Sequence, residues 1–540
     1  MKKIKKPLAL FLAAVVILLS AATPALAASK VDPSQSTSQK IQAALYMMLD
    51  SAIRFVGKIL NKVIPGLDWR NVWQNYDDYI TPDSFYKGEE KFETQVSSSA
   101  VWSMGYAYGS LLEGLDVLDG SYGMAGRLQT VSMQKPTSVI DDQGVSTYAV
   151  SDGVSGIVVQ AVVDGYGLAR GDVLKIRERL SEFAKEKNII SINISTLHQH
   201  SLIDTLGMGV ALIPALLLNP GMNAVGADEK LMTGKNQKFM DNLYKVVTQS
   251  VIDAVDNMRE GTLYYSCADA SDLMYDKRKP DVFDGEIHRL RFDPADETAN
   301  EIWVCEAGIH CTGVGASGTD ISSDYPYYFK QYIKETVGAD VVYVQGAELA
   351  ITDECDNISY NPDDKIDKVR AYGTELAKRV LAIENEAALE PVLNIRLQEV
   401  AVTADNPVLI LAVREGIVDS VVTENGTNLT IVTEIGYMEL GNKIGIVFVP
   451  GEIAPEIIWG GAVSKEESWT KESWDYPALE AVSGAKKLLC FGLNNDQIGY
   501  ILPDNDIRSM FTENEEINAA SVNAGSVLTE AYTELFKSIR

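Results

Sequence analysis

Two kinds of hydrophobic spacing alternate along this chain. From Ser38 to Ile64 the apolar positions Ile41, Leu45, Met48, Leu49, Ala52, Val56, Ile59, Leu60 and Val63 recur at helical spacing, and Pro65-Gly66 stops the run. Its polar side carries Lys40, Arg54, Lys58 and Lys62 against Asp50. Two roles fit such a stripe: docking on the rest of the chain, or lying on an anionic membrane surface. From about residue 92 strands and helices alternate. Ile157–Val163 is a β-branched run closed by Asp164-Gly165. Asp172 is placed to cap a helix carrying Val173, Ile176, Leu180 and Phe183, and the apolar run Ile189–Ile194 follows. A strand–helix–strand unit predicts parallel pairing. Phe239, Leu243, Val247, Val251, Ala254 and Met258 predict a further long helix stopped at Gly261. Met208–Leu218 is apolar, interrupted at Pro214 and closed by Asn219-Pro220-Gly221. It reads either as a buried helix or as an apolar lip beside a site. The expected fold is α/β: a mixed, largely parallel sheet flanked by helices, with an added N-terminal amphipathic helix.

The later apolar runs share one property. Ile302–Val304 leads to His310, Val341–Val344 to Gln345-Gly346-Ala347, Ile444–Val449 to Pro450-Gly451-Glu452, and Leu488–Phe491 to Asn494, Asn495 and Tyr500. Ile189–Ile194 leads in the same way to Thr196-Leu197-His198-Gln199-His200-Ser201. In α/β sheets ligands bind beyond the carboxyl ends of strands, so residues far apart in sequence can converge there. The chain has only four histidines, and three of them stand in such positions. Imidazole is the commonest neutral metal ligand, so the placement points to a metal site. The fourth, His288, sits between Glu286 and Arg289 in an alternating stretch and reads as structural or surface. Asp164 reads either as a turn residue or as a carboxylate orienting a ligand histidine.

Composition narrows the functional classes. Residues 1–27 have the form of a secretory signal: Lys2, Lys3, Lys5 and Lys6, an apolar Leu8–Leu19, and Ala25-Leu26-Ala27 as cleavage site. The expectation is a secreted or cell-surface protein. The net charge of −28 disfavours nucleic acid and other polyanions as partners. Five cysteines, Cys267, Cys305, Cys311, Cys355 and Cys490, are too few for a disulfide scaffold and match no zinc ribbon; isolated thiols are expected. The organisation read from these features is a signal at 1–27, an N-terminal extension with the amphipathic helix at 28–91, and a catalytic domain at 92–540.

Seven short blocks, in order, resemble the catalytic domain of the neutral, non-lysosomal ceramidases. They are Trp102-Ser103-Met104-Gly105-Tyr106-Ala107; His198-Gln199-His200-Ser201 with Asp204-Thr205-Leu206-Gly207; Arg278-Lys279-Pro280 with Asp284-Gly285-Glu286 and Leu290-Arg291-Phe292; Ile309-His310 with Ser322-Ser323-Asp324-Tyr325-Pro326; Gln345-Gly346-Ala347; Pro450-Gly451-Glu452; and Gly499-Tyr500. The resemblance runs from about residue 98 to the C-terminus and does not include the immunoglobulin-like domain of longer members. It implies one zinc ion held by His198, His310, Glu452 and Tyr500, with His200 as the catalytic neighbour, and hydrolysis of a lipid-like N-acyl amide. Two imidazoles, a carboxylate and a phenol suit zinc. Residues 38–64 would then supply peripheral membrane contact. The chain departs from the family in three places. His-Thr-His becomes His198-Gln199-His200, Cys311 replaces a proline, and Glu348-Leu349-Ala350-Ile351 stands where a Gly-Asp segment is expected. These departures leave open the same hydrolase acting on another amide or ester, and a weakened surface or binding protein.

Overall fold

A computed structural model describes residues 73–126, 132–224, 231–315, 318–425, 428–507 and 518–540. The signal segment at 1–27 and the amphipathic stretch at 38–64 lie outside the described residues.

Two large sheets are packed face to face. In the first, strand order runs Asp340–Gln345, Ile302–Ala307, Glu286–Pro294, Arg259–Asp269, Trp102–Ser110, Gly144–Ser151, Ile157–Val163, Ile189–Thr196, with Ala387–Ala388 attached to Arg259–Asp269. The second is built on the long antiparallel pair of Leu393–Ala404 and Asn428–Leu440, extended by Ile444–Phe448 and Lys487–Phe491. Alternation along each strand divides the layers. Tyr148, Val150, Val158 and Val162 face a core shared with Met438, Ile446, Phe448, Leu489 and Phe491 of the other sheet. Val145, Ala149, Val159 and Ala161 face outward under Phe239, Leu243, Val247 and Val251. On the far side, Tyr437, Val447 and Cys490 are covered by Leu528, Tyr532, Leu535 and Phe536 of the helix Ala524–Ser538. Gly144–Ser151, Ile157–Val163, Ile189–Thr196, Ile302–Ala307 and Ile444–Phe448 are therefore buried on both faces, as their unbroken apolar runs require.

The sheets are mixed, but mostly antiparallel rather than largely parallel. Among the described residues, parallel pairing is confined to Ile157–Val163 with Ile189–Thr196, Ile302–Ala307 with Asp340–Gln345, Ile444–Phe448 with Lys487–Phe491, and three two-residue pairs. A strand buried on both faces has the same composition in either orientation, so the pattern could not distinguish them. The strand–helix–strand unit is where it was expected, with helices Arg170–Arg179 and Ser181–Lys187 between the parallel strands. Asp172 is inside the first helix instead of capping it; it is fully buried and paired with Lys235 Nζ at 3.0 Å.

The long helix is Gln237–Asp256, with the Asn236 side chain accepting from the amides of Lys238 and Phe239. It ends before Gly261, which lies within the strand Arg259–Asp269. The apolar run after the histidines forms the helix Leu212–Ala224, which continues through Pro220. Pro214 falls in its first turn, where a missing amide costs no internal bond. Residues 74–92, assigned from sequence to the N-terminal extension, lie against the second sheet: Gln74–Asn75 pairs with its edge, and Phe92 N donates to Ile539 O at 3.0 Å. All five cysteines are free. Among the described residues no helix is long and apolar enough to cross a membrane.

Candidate metal centre

The parallel pairs bring the chemistry together. Beyond Thr196 the chain turns sharply at His198, whose φ of 53° is left-handed. That conformation costs a non-glycine residue about 1 kcal/mol, so neighbours must hold it. Thr196 N donates to Leu493 O at 3.3 Å, Gln199 N to Gly165 O at 3.2 Å, and His200 N to Cys311 O at 3.3 Å. His310 follows Ile302–Ala307 across Gly308. A Cβ at Gly308 would stand 2.5 Å from the carbonyl oxygen of Ala347, so glycine is required where the two strand ends cross. Glu452 follows Ile444–Phe448 and pairs in register with Tyr500, its amide donating to Gly499 O at 3.1 Å.

The three imidazoles share one orientation rule. Nδ1 of His198 is 2.8 Å from the carbonyl oxygen of Tyr166. Nδ1 of His200 is 2.8 Å from that of Gly126, and Nδ1 of His310 is 3.0 Å from Glu348 Oε2. All three partners only accept, so each Nδ1 carries the hydrogen, and in a neutral ring Nε2 holds the lone pair. Those Nε2 atoms converge: His200 and His310 are 3.0 Å apart, and His198 Nε2 is 3.2 Å from Glu452 Oε2. The candidate ligand atoms of His198, His200 and His310 lie within 4.8 Å of one another, as do those of His198, Glu348 and Glu452. Gln497 Nε2 donates to the other Glu452 oxygen at 3.0 Å.

His198, His310, Glu348 and Glu452 are buried. Burial, then the neighbouring His310 and His200, holds the His198 pKa well below the ordinary imidazole value. Burial acts downward on His310 too, but the Glu348 carboxylate outweighs it and raises the pKa to about 9. These imidazole nitrogens and carboxylates, with each ring fixed from behind by an acceptor, form a group able to hold a metal ion.

Of the residues singled out from the sequence, His198, His200, His310 and Glu452 meet here. Tyr500 is half-buried and lies beside Glu452 in the ladder. Asp164 touches none of the histidines; its carboxylate accepts from Gln199, Lys330 and the amide of Gly144. His288 is structural and buried, held by Asp284 Oδ2 and the Tyr265 hydroxyl, each at 3.0 Å. Two site residues escaped the sequence reading. Glu348 was seen only as a departure from a Gly-Asp segment, although an acidic residue inside the apolar stretch after Gln345-Gly346-Ala347 was the available signal. Tyr166 bears no sequence signal; its ring centroid lies 4.4 Å from that of His198 and 5.0 Å from that of His200.

A second grouping, Cys267, Glu286 and His288, is of another kind. Both nitrogens of His288 are engaged, and the Cys267 thiol donates to Glu286 Oε1 at 3.1 Å. Lys487 Nζ stands 2.8 Å from Glu286 and 3.2 Å from Asp284. Burial and Glu286 push the thiol pKa up to about 11. The lysine already supplies the cation these carboxylates need.

An apolar cavity adjoins the histidine cluster. Tyr166, Glu452 and Gln497 bound it on the cluster side; Leu206, Met208, Leu409, Val413 and Ile431 line the remainder. Of the run that read as either a buried helix or an apolar lip, the part from Leu212 on is helical, with Leu212 and Ala215 in a buried apolar cluster, and Met208 ahead of the helix lines the cavity.

No family model matches this sequence, and no curated protein sequence matches it. Solved structures do match in shape. The crystal structure of neutral ceramidase from Pseudomonas aeruginosa superposes with a TM-score of 0.61 over 82% of this chain and 75% of that one, at 14% identity. A ceramidase complexed with C2 gives 0.60 over 81% and 75%, at 13% identity. What is shared at such identity is the course of the backbone. This chain has the neutral ceramidase fold.

Proposed function

We propose that this protein is an exported zinc-dependent hydrolase that cleaves an N-acyl amide bond of a ceramide-like lipid. One observation carries the reading: the candidate ligand atoms of buried His198 and His310 and half-buried His200 lie within 4.8 Å of one another, and Glu452, which meets His198, lines the adjoining apolar cavity. His198, His310, Glu452 and Tyr500 would hold the ion. When bound, zinc supplies a Lewis acid for the amide carbonyl and lowers the pKa of water toward neutrality.

The chain's own residues do the rest. Tyr166 O and Glu348 fix the tautomers of His198 and His310, so that Nε2 is the donor atom of each. Gly126 O fixes His200 in the same way, leaving its Nε2 to take up a proton and return it to the leaving amine. The Tyr166 ring closes the cavity against the histidines and excludes water. The apolar lining receives an acyl chain. Residues 1–27 would direct export, and residues 38–64 would provide contact with a membrane surface.

A second reading keeps the zinc hydrolase and changes the substrate to a non-ceramide amide or ester. The segment Glu348-Leu349-Ala350-Ile351 favours it, since it replaces the family's Gly-Asp. The deciding experiment is to purify the mature protein, measure bound zinc, and assay a fluorogenic N-acyl sphingosine beside a short N-acyl amine. Stoichiometric zinc with preferential turnover of the sphingosine conjugate is expected. Turnover of the short amine alone selects the second reading. Stoichiometric zinc with no turnover of either leaves a binding protein and ends the hydrolase proposal.

A further inference from the structure

Gln199 stands between the two histidines of the turn, and its side chain bonds to partners that neither imidazole uses. It is fully buried. Its Nε2 donates to Ser323 O at 2.7 Å and to Asp164 Oδ1 at 3.2 Å. Asp164 is itself buried, with its second oxygen accepting from Gly144 N at 3.1 Å. Lys330 Nζ lies 3.4 Å from Asp164 Oδ1. Lys330 belongs to the helix Asp324–Val337, whose preceding residue Ser323 supplies the other acceptor of Gln199. Its side chain also lines an outer groove with Tyr106, Tyr108, Tyr327 and Lys334. A continuous polar chain thus leads from that groove to the backbone of the His-Gln-His turn.

The turn needs such a hold. His198 is in the left-handed region, and a residue kept there must be over-determined by its surroundings. The backbone bonds on either side limit where the chain passes, and the Gln199 amide adds a buried side-chain grip on Ser323 and Asp164, which hold neither imidazole. We propose that Gln199, Asp164 and Lys330 form a positioning brace that sets the conformation at His198 and with it the aim of the His198 and His200 rings. These are positioning residues, since none of them reaches the converging Nε2 atoms. The inference rests on the metal reading only for its affinity arm.

The test uses the scarcity of histidine. With four in the chain, ring ¹H–¹⁵N spectra of the purified metal-free protein resolve each one, and His288, in its own closed network, reports on the fold. Gln199→Met keeps the volume and removes the amide. It should shift the His198 and His200 ring resonances and leave His288 in place. Affinity for Zn2+ or Co2+, read by competition with a chromophoric chelator, should fall about tenfold or more. Asp164→Asn should give the same pattern more weakly, and it decides the matter if Gln199→Met does not fold. Resonances and affinity within twofold of the unaltered protein would overturn the brace. So would a shift of His288 together with the others, which would mark the network as general fold support. If the unaltered protein binds neither metal, the zinc proposal fails, and the histidine spectra alone decide the brace.

Discussion

Glu348 Oε2 accepts a hydrogen bond from Nδ1 of His310 at 3.0 Å, although the two residues follow different strands. The parallel pairing of Ile302–Ala307 with Asp340–Gln345 makes the contact possible, because it brings both carboxyl ends to one edge. Gln345 Nε2 donates to the same carboxylate oxygen at 3.0 Å and steadies it. The segment Glu348-Leu349-Ala350-Ile351 therefore places a carboxylate behind the histidine.

Replacing that carboxylate should weaken metal binding while leaving the ligands in place. Glu348→Ala is expected to lower zinc affinity about 10–100-fold, read by chelator competition on the purified protein. Unchanged affinity would mean that the orientation of His310 is set elsewhere.

The ligand assignment makes a sharper demand. His198→Ala and Glu452→Ala should each release bound zinc, measured by metal analysis after dialysis, and reduce amide hydrolysis by at least about a hundredfold. Tyr500→Phe, which keeps the ring and removes the oxygen, tests the fourth ligand. Full zinc content and full activity in that variant would exclude the phenol.

Filling the apolar cavity should separate substrates by chain length. Val413 lines it at a distance from the histidines in sequence and in role. Val413→Phe is expected to lower kcat/KM for a long-chain N-acyl substrate on the order of tenfold relative to an acetyl one, the scale of a pocket changed by a few carbons. An equal effect on both would place the acyl chain elsewhere.

Stability at acid pH should depend on Glu434. Its carboxylate is fully buried between Arg177, with contacts of 2.6 and 3.0 Å, and Arg170 at 3.1 Å. Burial alone would raise its pKa, but the two guanidinium groups outweigh it and hold the value below the ordinary one. A group depressed on folding stabilises the protein above its unfolded pKa, about 4.3 for glutamate, and loses that contribution as pH falls through the folded value. Thermal unfolding should therefore be flat for this group near neutrality and fall below about pH 4. Glu434→Ala leaves Arg177 buried without its carboxylate and Arg170 with Glu399 alone, and should cost about 3–5 kcal/mol at pH 7, measured by chemical denaturation.

The local pattern of the chain was enough to locate the Ile157–Val163 and Ile189–Thr196 strands, the helix centred on Leu243 and Val247, and the recurrence of polar residues after apolar runs. These depend on side-chain period and on β-branching, which are properties of neighbouring residues. From that recurrence alone His198, His310 and Glu452 could be expected at a common rim, and the structure brings them there with His200. Strand orientation was beyond its reach, because a strand buried on both faces reads alike in parallel and antiparallel sheets. The carboxylate of Glu348, the ring of Tyr166, and the path from Lys330 through Asp164 to Gln199 were decided by tertiary structure. Each acts on a residue from another element, and such contacts follow from how the two sheets and their parallel strand ends are packed together.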